Sequence, residues 1–197
     1  MKTIKFFISL FVISCTLTII SCADNQKKAK EYLAVDEESP EKIIERGAYL
    51  VNAMGCNHCH SPKKMGPNGP EMIPELMLSG FPSERPIVKF NDTLIKSGFA
   101  IFYPDLTATA GPWGVSFAAN LTPDDTGIGT WTESQFKKAF TEGKLKGLDN
   151  GRMLLPPMPW QDFKHLKDED IHAIFKYLKS IKPVRNIVPP AVTPDNM

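Results

Sequence analysis

Apolar residues recur at helical spacing in three stretches of this chain. The first, SPEKIIERGAYLVNAMGC, has Ser39 as a candidate N-cap followed by a proline, and predicts a helix that ends near Gly55. The second follows Thr132, which has a glutamine three residues later as in a capping box, and ends at Gly143. The third, LKDEDIHAIFKYLKSI, is predicted to be capped by Asp168.

A long segment between the first two helices lacks this helical repeat. Residues 61–119 carry Pro and Gly at short intervals, with brief β-prone runs at 87–90 and 99–103. We therefore predict an all-α domain over residues 39–190. Its loop-rich insert has room for a short β-hairpin, and a C-terminal tail follows at 191–197.

The N-terminal residues have the layout of a secretory signal. Two lysines precede an apolar run over residues 6–20, and a polar stretch follows directly. The run is short for a membrane-spanning helix, which needs about 20 apolar residues. The letters IISC resemble a bacterial lipoprotein signal, in which Cys22 becomes the lipidated first residue. We expect a signal peptide over 1–21, a lipid anchor on Cys22 and a flexible spacer over 22–38; the alternatives are an ordinary cleaved signal or an uncleaved anchor.

The composition limits which partner molecules and which cysteine chemistry can be expected of this protein. Lys and Arg number 23 against 22 Asp and Glu, so there is no basic surplus to favour nucleic acid. Of the four cysteines, only Cys56 and Cys59 remain for chemistry if the signal is removed and Cys22 is lipidated, which excludes a disulfide scaffold. We expect an exported protein on the periplasmic side of a bacterial membrane.

The motif CNHCH at residues 56–60 has the CxxCH spacing of a haem c attachment site. Two thiols three residues apart lie on one helical turn, so each can add to a haem vinyl group, and the following imidazole can point at the iron. Cys56 and Cys59 are therefore predicted thioether residues and His60 the proximal ligand. The second ring nitrogen of His60 needs a carbonyl acceptor, for which the turn at 66–70 is the nearest candidate.

Two alternatives use the same cysteines. A redox CxxC would require a βαβ context, which the pattern lacks. A structural zinc site would add two of the four histidines, which are His58, His60, His165 and His172. Export disfavours both, because an exported thiol pair with no strands around it would more readily end as a disulfide, and His165 and His172 are spaced outside the zinc-finger range.

A second axial ligand is expected from GRMLLPPMPWQDF, the loop before the last helix. Met158 is preferred over Met153 because it lies between two prolines, and a stiff loop can hold a weak thioether ligand. Core packing is the common alternative for any methionine. The other candidate ligands are the insert methionines Met65, Met72 and Met77. Sulfur opposite imidazole raises the reduction potential and fills both axial positions, which favours a one-electron carrier.

The chain resembles the class I cytochromes c, and more closely the haem domains of cytochrome subunits that serve membrane-bound alcohol and aldehyde dehydrogenases. Three stretches carry the resemblance: RGAYLVNAMGCNHCHSP, ANLTPDDTGIGTWTESQFKKAFTEGK and GRMLLPPMPWQDFKHLKDEDIHAIFKYLKSIKPVRNIVP. Those subunits carry several CxxCH motifs, whereas this chain has one.

The resemblance implies a cytochrome c fold, with helices wrapped round one covalently bound haem c and Met158 as the distal ligand. It implies that the first and last helices cross through Gly47, Tyr49, Ile174 and Tyr177. Trp131 falls beside the haem, where it can fill the pocket wall or bind a propionate. Arg152 falls where it can pair with a propionate or stay solvated.

These observations predict an electron carrier and not an enzyme. Its partners would be redox proteins such as a dehydrogenase or a terminal oxidase, met through a small transient interface. The alternative is a haem enzyme or gas sensor in which a labile Met158 opens the sixth iron position. The third class of protein that fits the motif is a structural zinc module.

Overall fold

The structure is a computed structural model that describes residues 39–87, 89–90 and 92–197. The expected signal peptide, the lipidation site Cys22 and the spacer lie outside the described residues. Within the described part of the chain, no helix combines the length and the apolar character needed to cross a membrane.

Helices account for most of the regular structure. They are α1 (Pro40–Ala53), α2 (Cys56–His60), α3 (Asp92–Lys96), α4 (Glu133–Glu142), α5 (Trp160–Phe163) and α6 (Asp168–Ser180), with 3₁₀ turns at Pro74–Leu76, Leu145–Gly147 and Pro194–Asn196. The three helices predicted from apolar periodicity correspond to α1, α4 and α6 and are confirmed.

The helix ends follow local capping chemistry in one case and depart from it in another. The predicted capping box of α4 is confirmed, because the Thr132 hydroxyl accepts from the Gln135 backbone N–H and Gln135 accepts from the Thr132 N–H at 2.9 Å. The predicted Asp168 cap is wrong. Lys167 occupies the N-cap position, and the Asp168 carboxylate accepts instead from Nζ of Lys137 on α4 at 2.7 Å.

The insert contains more β-structure than expected. β1 (Lys63–Gly66) and β2 (Gly69–Met72) form an antiparallel hairpin, and β3 (Ile101–Phe102), β4 (Ala108–Gly111) and β5 (Gly114–Phe117) form an antiparallel sheet in that order. The all-α prediction is therefore wrong for the insert, where two small sheets are described in place of one short hairpin. Of the two β-prone runs, only 99–103 contains a described strand.

The C-terminal residues pack on this sheet. The backbone N–H and carbonyl of Val115 exchange hydrogen bonds with those of Val192, at 2.9 and 3.0 Å. Gly114 permits this approach, since its φ is +100° and a Cβ there would lie 2.0 Å from the Val192 carbonyl oxygen. Val192 and Met197 also pack against a small apolar cluster built on Ile95, Ala110 and Val115.

Helices α1 and α6 meet at a close crossing. A Cβ on Gly47 would lie 2.0 Å from the Ala173 carbonyl oxygen and 2.7 Å from Cβ of Tyr177. The predicted crossing is therefore confirmed at Gly47 and Tyr177, whereas Tyr49 is 70% exposed. Ile174 turns into the main core, which consists of Val51, Leu78, Ile128, Phe136, Phe140, Ile171, Ile174, Phe175 and Leu178.

Candidate functional site

The CxxCH motif forms its own short helix, separated from α1 by a sharp turn. Gly55 adopts a left-handed conformation with φ +75°, which glycine accepts without steric cost, and redirects the chain into α2. Cys56 and Cys59 are both free and half-buried. Three residues apart, they lie about one helical turn from each other, as two attachment points on one group require.

The His60 side chain is hydrogen-bonded to a backbone carbonyl at the C-terminal end of the insert. Its imidazole is buried, and Nδ1 lies 2.8 Å from the Ala119 carbonyl oxygen. A carbonyl only accepts, so Nδ1 carries the proton and Nε2 keeps a free lone pair. Burial lowers the pKa of His60, opposed by the bond to Ala119, and the ring is neutral as a metal ligand must be.

The acceptor for His60 was not the one expected from the sequence. The turn at 66–70 closes the β1–β2 hairpin, where Gly66 pairs with Gly69, and does not supply the carbonyl. Ala119 supplies it from 59 residues along the chain. Every residue has a carbonyl, so no sequence signal marks this position.

The backbone of the motif is also tied to the insert. Gly80 donates its N–H to the His60 carbonyl at 2.8 Å, and the Leu78 N–H donates to Oγ of Ser61 at 2.9 Å. Lys63 donates through Nζ to the carbonyls of His58 and Asp105. These bonds fix the position of α2 relative to the insert.

The two thiols lack the character of a redox pair. Burial raises the pKa of Cys56 to about 11, and burial also raises the pKa of Cys59 despite the nearby charge of Lys63. Redox CxxC motifs instead depress the pKa of the attacking thiol. Cys56 and Cys59 are also not joined as a disulfide.

The zinc alternative finds no support in the described residues. Among them, no three His, Cys, Asp or Glu side chains are grouped as a metal ion would need. His172, one of the four histidines considered, directs Nδ1 at the Glu133 carboxylate at 2.9 Å.

Met158 and Cys56 pack against the same apolar core. Both are half-buried, and Leu121 and Trp131 flank the same cluster. The alternative ligand Met153 is 40% exposed, and Met65 in the insert is 72% exposed. The structure therefore places Met158 against the same cluster as Cys56, whereas these two alternatives lie at the surface.

The two residues expected near a propionate differ in their surroundings. Trp131 packs against the core cluster, and its expected position beside the haem stays a prediction. Arg152 is exposed and donates through Nη1 to the Met153 carbonyl at 2.8 Å. Its guanidinium retains other donors, but this contact holds it along its own loop.

The donor chemistry fits haem c. Two free thiols occupy one turn of α2, the adjacent imidazole offers Nε2, and a thioether flanks the same apolar cluster as the first thiol. Together with the helical core, these features define the class as a c-type haem domain.

The comparison with known families agrees. The cytochrome c family model matches residues 44–182, and the chain belongs to the cytochrome c family. Membership implies a covalently bound haem c and an electron-carrying role.

Relatives of the chain include cytochrome subunits of dehydrogenases. It is 28% identical to the gluconate 2-dehydrogenase cytochrome c subunit of Pantoea cypripedii over 76% of this chain and 26% of that protein. It is 26% identical to the fructose dehydrogenase cytochrome subunit of Gluconobacter japonicus over 85% of this chain and 27% of that protein. It is 27% identical to the cytochrome c subunit of the quinone-dependent alcohol dehydrogenase of Gluconobacter oxydans over 75% of this chain and 23% of that protein. The chain thus spans about a quarter of the length of each of these relatives.

Proposed function

We propose that this protein carries single electrons on one haem c, attached through Cys56 and Cys59 and ligated by His60 and Met158. The observation that carries the proposal is the Nδ1 contact of His60 with the Ala119 carbonyl, because it leaves Nε2 as the ligating nitrogen. When bound, the haem iron supplies the one-electron exchange between ferrous and ferric states. The single CxxCH motif gives one haem per chain.

The protein's own residues set the properties of that iron. The buried His60 is oriented by its carbonyl partner, and burial of the iron away from water would favour the ferrous state by disfavouring extra charge. Met158 would complete the ligand set with a soft sulfur that further raises the potential. If His60 and Met158 both ligate the iron, no position on it would remain open for a substrate, so we infer a carrier and not an enzyme.

We further propose that the electron donor is a membrane-bound dehydrogenase. The proposal is supported by relatives named as cytochrome subunits of gluconate, fructose and alcohol dehydrogenases. Because the sequence has one CxxCH motif, we propose that these electrons pass through a single haem.

The test of the ligand set is the absorption spectrum of full-length protein produced in a host that attaches haem c. The wild type should show a sharp low-spin ferrous spectrum, one thioether-linked haem in the pyridine haemochrome assay, and only weak binding of carbon monoxide. Met158→Ala should lose the six-coordinate low-spin spectrum and lower the midpoint potential, and Met153→Ala should leave both unchanged. An unchanged Met158→Ala spectrum would remove Met158 as a ligand, and a strong response of the wild type to carbon monoxide would favour an enzyme or sensor.

We propose that Cys22 carries the lipid that anchors the protein to the periplasmic side of the membrane. Full-length wild type should fractionate with membranes, and Cys22→Ser should release it in soluble form or leave an unprocessed precursor. Cys15→Ser is the control, because Cys15 lies inside the expected signal peptide. Equal membrane association of Cys22→Ser and the wild type, with normal processing, would contradict the lipid anchor.

A further inference from the structure

One short run of the insert contacts both segments that would supply the axial ligands. The Ser116 hydroxyl on β5 donates to the Pro156 carbonyl at 2.6 Å, two residues before Met158. Ala119, three residues after Ser116, accepts from Nδ1 of His60 at 2.8 Å. The Cα atoms of Ser116 and Ala119 are at most about 11 Å apart, since an extended chain spans up to about 3.6 Å per residue. The same piece of backbone therefore reaches the motif and the methionine loop.

The methionine loop has few donors with which to hold itself in place. Residues 155–159 read LPPMP, so only Leu155 and Met158 have a backbone N–H. The loop's position must then depend on side-chain packing and on donors that bind its carbonyls. Ser116 is such a donor.

The two ends of this loop are both fixed at Gly143, the residue that follows α4, so Ser116 acts on the middle of the loop. The Leu154 N–H donates to the Gly143 carbonyl at 2.7 Å. At the other end the Trp160 ring packs on Gly143, where a Cβ would lie 2.5 Å from the indole. The bond from Ser116 to Pro156 acts between these anchors, close to the predicted ligand.

Ser116 is itself held on both sides of its strand. It pairs in register with Thr109 of β4, and its neighbour Val115 exchanges two backbone hydrogen bonds with Val192. The hydroxyl is therefore presented from a strand with partners at both edges and not from a mobile loop. A donor fixed in this way can restrain the segment to which it binds.

We propose that Ser116 is a positioning residue for the distal ligand, holding Pro156 so that the Met158 thioether stays at the iron. This inference rests on the proposed ligation by Met158. It gives β5 of the insert a function in ligand retention, because loss of the hydroxyl would let the loop move and the weak iron–sulfur bond open more often. An external ligand such as carbon monoxide would then compete more effectively for the ferrous iron.

The experiment is a carbon monoxide titration of the haem-loaded, full-length ferrous protein. The decisive pair is Ser116→Thr and Ser116→Val, which have nearly the same shape and differ in the hydroxyl. Ser116→Val and Ser116→Ala should bind carbon monoxide about two- to tenfold more tightly than the wild type, the range expected for one hydrogen bond. Ser116→Thr should match the wild type, and so should Ser97→Ala, which removes an exposed insert hydroxyl that donates to the Thr93 carbonyl.

Met158→Ala provides the reference for an iron with no distal competitor. If Met158→Ala binds carbon monoxide tightly but Ser116→Val behaves like Ser116→Thr, the positioning role of Ser116 is wrong and the ligand assignment stands. If Met158→Ala behaves like the wild type, the ligand assignment fails, and the inference about Ser116 fails with it. Melting temperatures measured in parallel identify a merely structural role, which would lower the melting temperature of Ser116→Val without changing its carbon monoxide affinity.

Discussion

The crossing of α1 and α6 offers a sharp test of the fold, because it depends on a single missing methyl group. Gly47 packs directly on the backbone of α6. A Cβ at this position would lie 2.0 Å from the Ala173 carbonyl oxygen and 2.6 Å from the Ala173 carbonyl carbon. Ordinary contact begins at 3.4 Å, so Gly47→Ala requires one helix to move by about 1.4 Å relative to the other.

The effect of this movement on the free energy of unfolding can be estimated from two opposing contributions. Overpacking a core costs about 1–3 kcal/mol, and the upper end applies here because the obstacle is helix backbone and not a side chain that can rotate away. Alanine recovers about 1 kcal/mol through its higher helix propensity. The net loss in the free energy of unfolding should be about 2 kcal/mol, which lowers the melting temperature of a domain of this size by about 4–8 °C.

The assay is urea and thermal unfolding of the haem-loaded protein, followed by circular dichroism. Ala53→Gly, at the exposed end of α1, measures the propensity effect in the same helix and should cost at most about 1 kcal/mol. A Gly47→Ala protein as stable as the wild type, or more stable, would refute the close crossing.

Three further predictions concern polar contacts. Asn186→Ala should lower the free energy of unfolding, measured in urea, by about 3 kcal/mol, because the buried amide donates to two insert carbonyls at 2.6 and 2.9 Å. A loss under about 1 kcal/mol would show that water replaces the amide as the donor. Burial opposes ionisation of Asp105, but hydrogen bonds from Arg85 and Thr107 outweigh it and hold the pKa of this carboxyl below its usual range. The stabilising effect of the ionised Asp105 should therefore be present at neutral pH and disappear as the pH falls through that lowered pKa. The difference in the free energy of unfolding between the wild type and Asp105→Asn should then shrink below about pH 4. A difference that stays constant from about pH 7 to 3 would contradict this. Thr132→Ala should lower the free energy of unfolding by about 1 kcal/mol through loss of the α4 cap, and Thr132→Ser should restore it.

The features that the sequence predicted are those fixed by local chemistry. The periodicity of α1, α4 and α6 and the capping box at Thr132 depend on residues within one or two helical turns, and they appear as expected. The CxxCH motif is local for the same reason, since its spacing suits one turn of helix. Even there, the choice between adjacent residues at a helix start was missed, because Asp168 finds a partner in Lys137 from another helix.

The features that escaped prediction depend on distant partners. β4 reads ATAG, a sequence with weak strand preference, and all four of its residues are buried between β3 and β5. Burial by neighbouring strands, and not propensity, makes it a strand. The Ala119 carbonyl that orients His60 has no side-chain signature at all. Such contacts can be read only from the folded chain.

These distant contacts change how the insert must be regarded. A segment of Pro- and Gly-rich loops could have been a detachable docking surface, joined to the domain at two points. Instead Lys63 binds the carbonyls of both His58 and Asp105, Asn186 binds the insert backbone, and Ala119 binds His60. The bonds to His58 and His60 join the insert directly to the CxxCH motif, so a movement of the insert would also shift the His60 imidazole. The insert is therefore part of the structure that positions the proposed haem ligands.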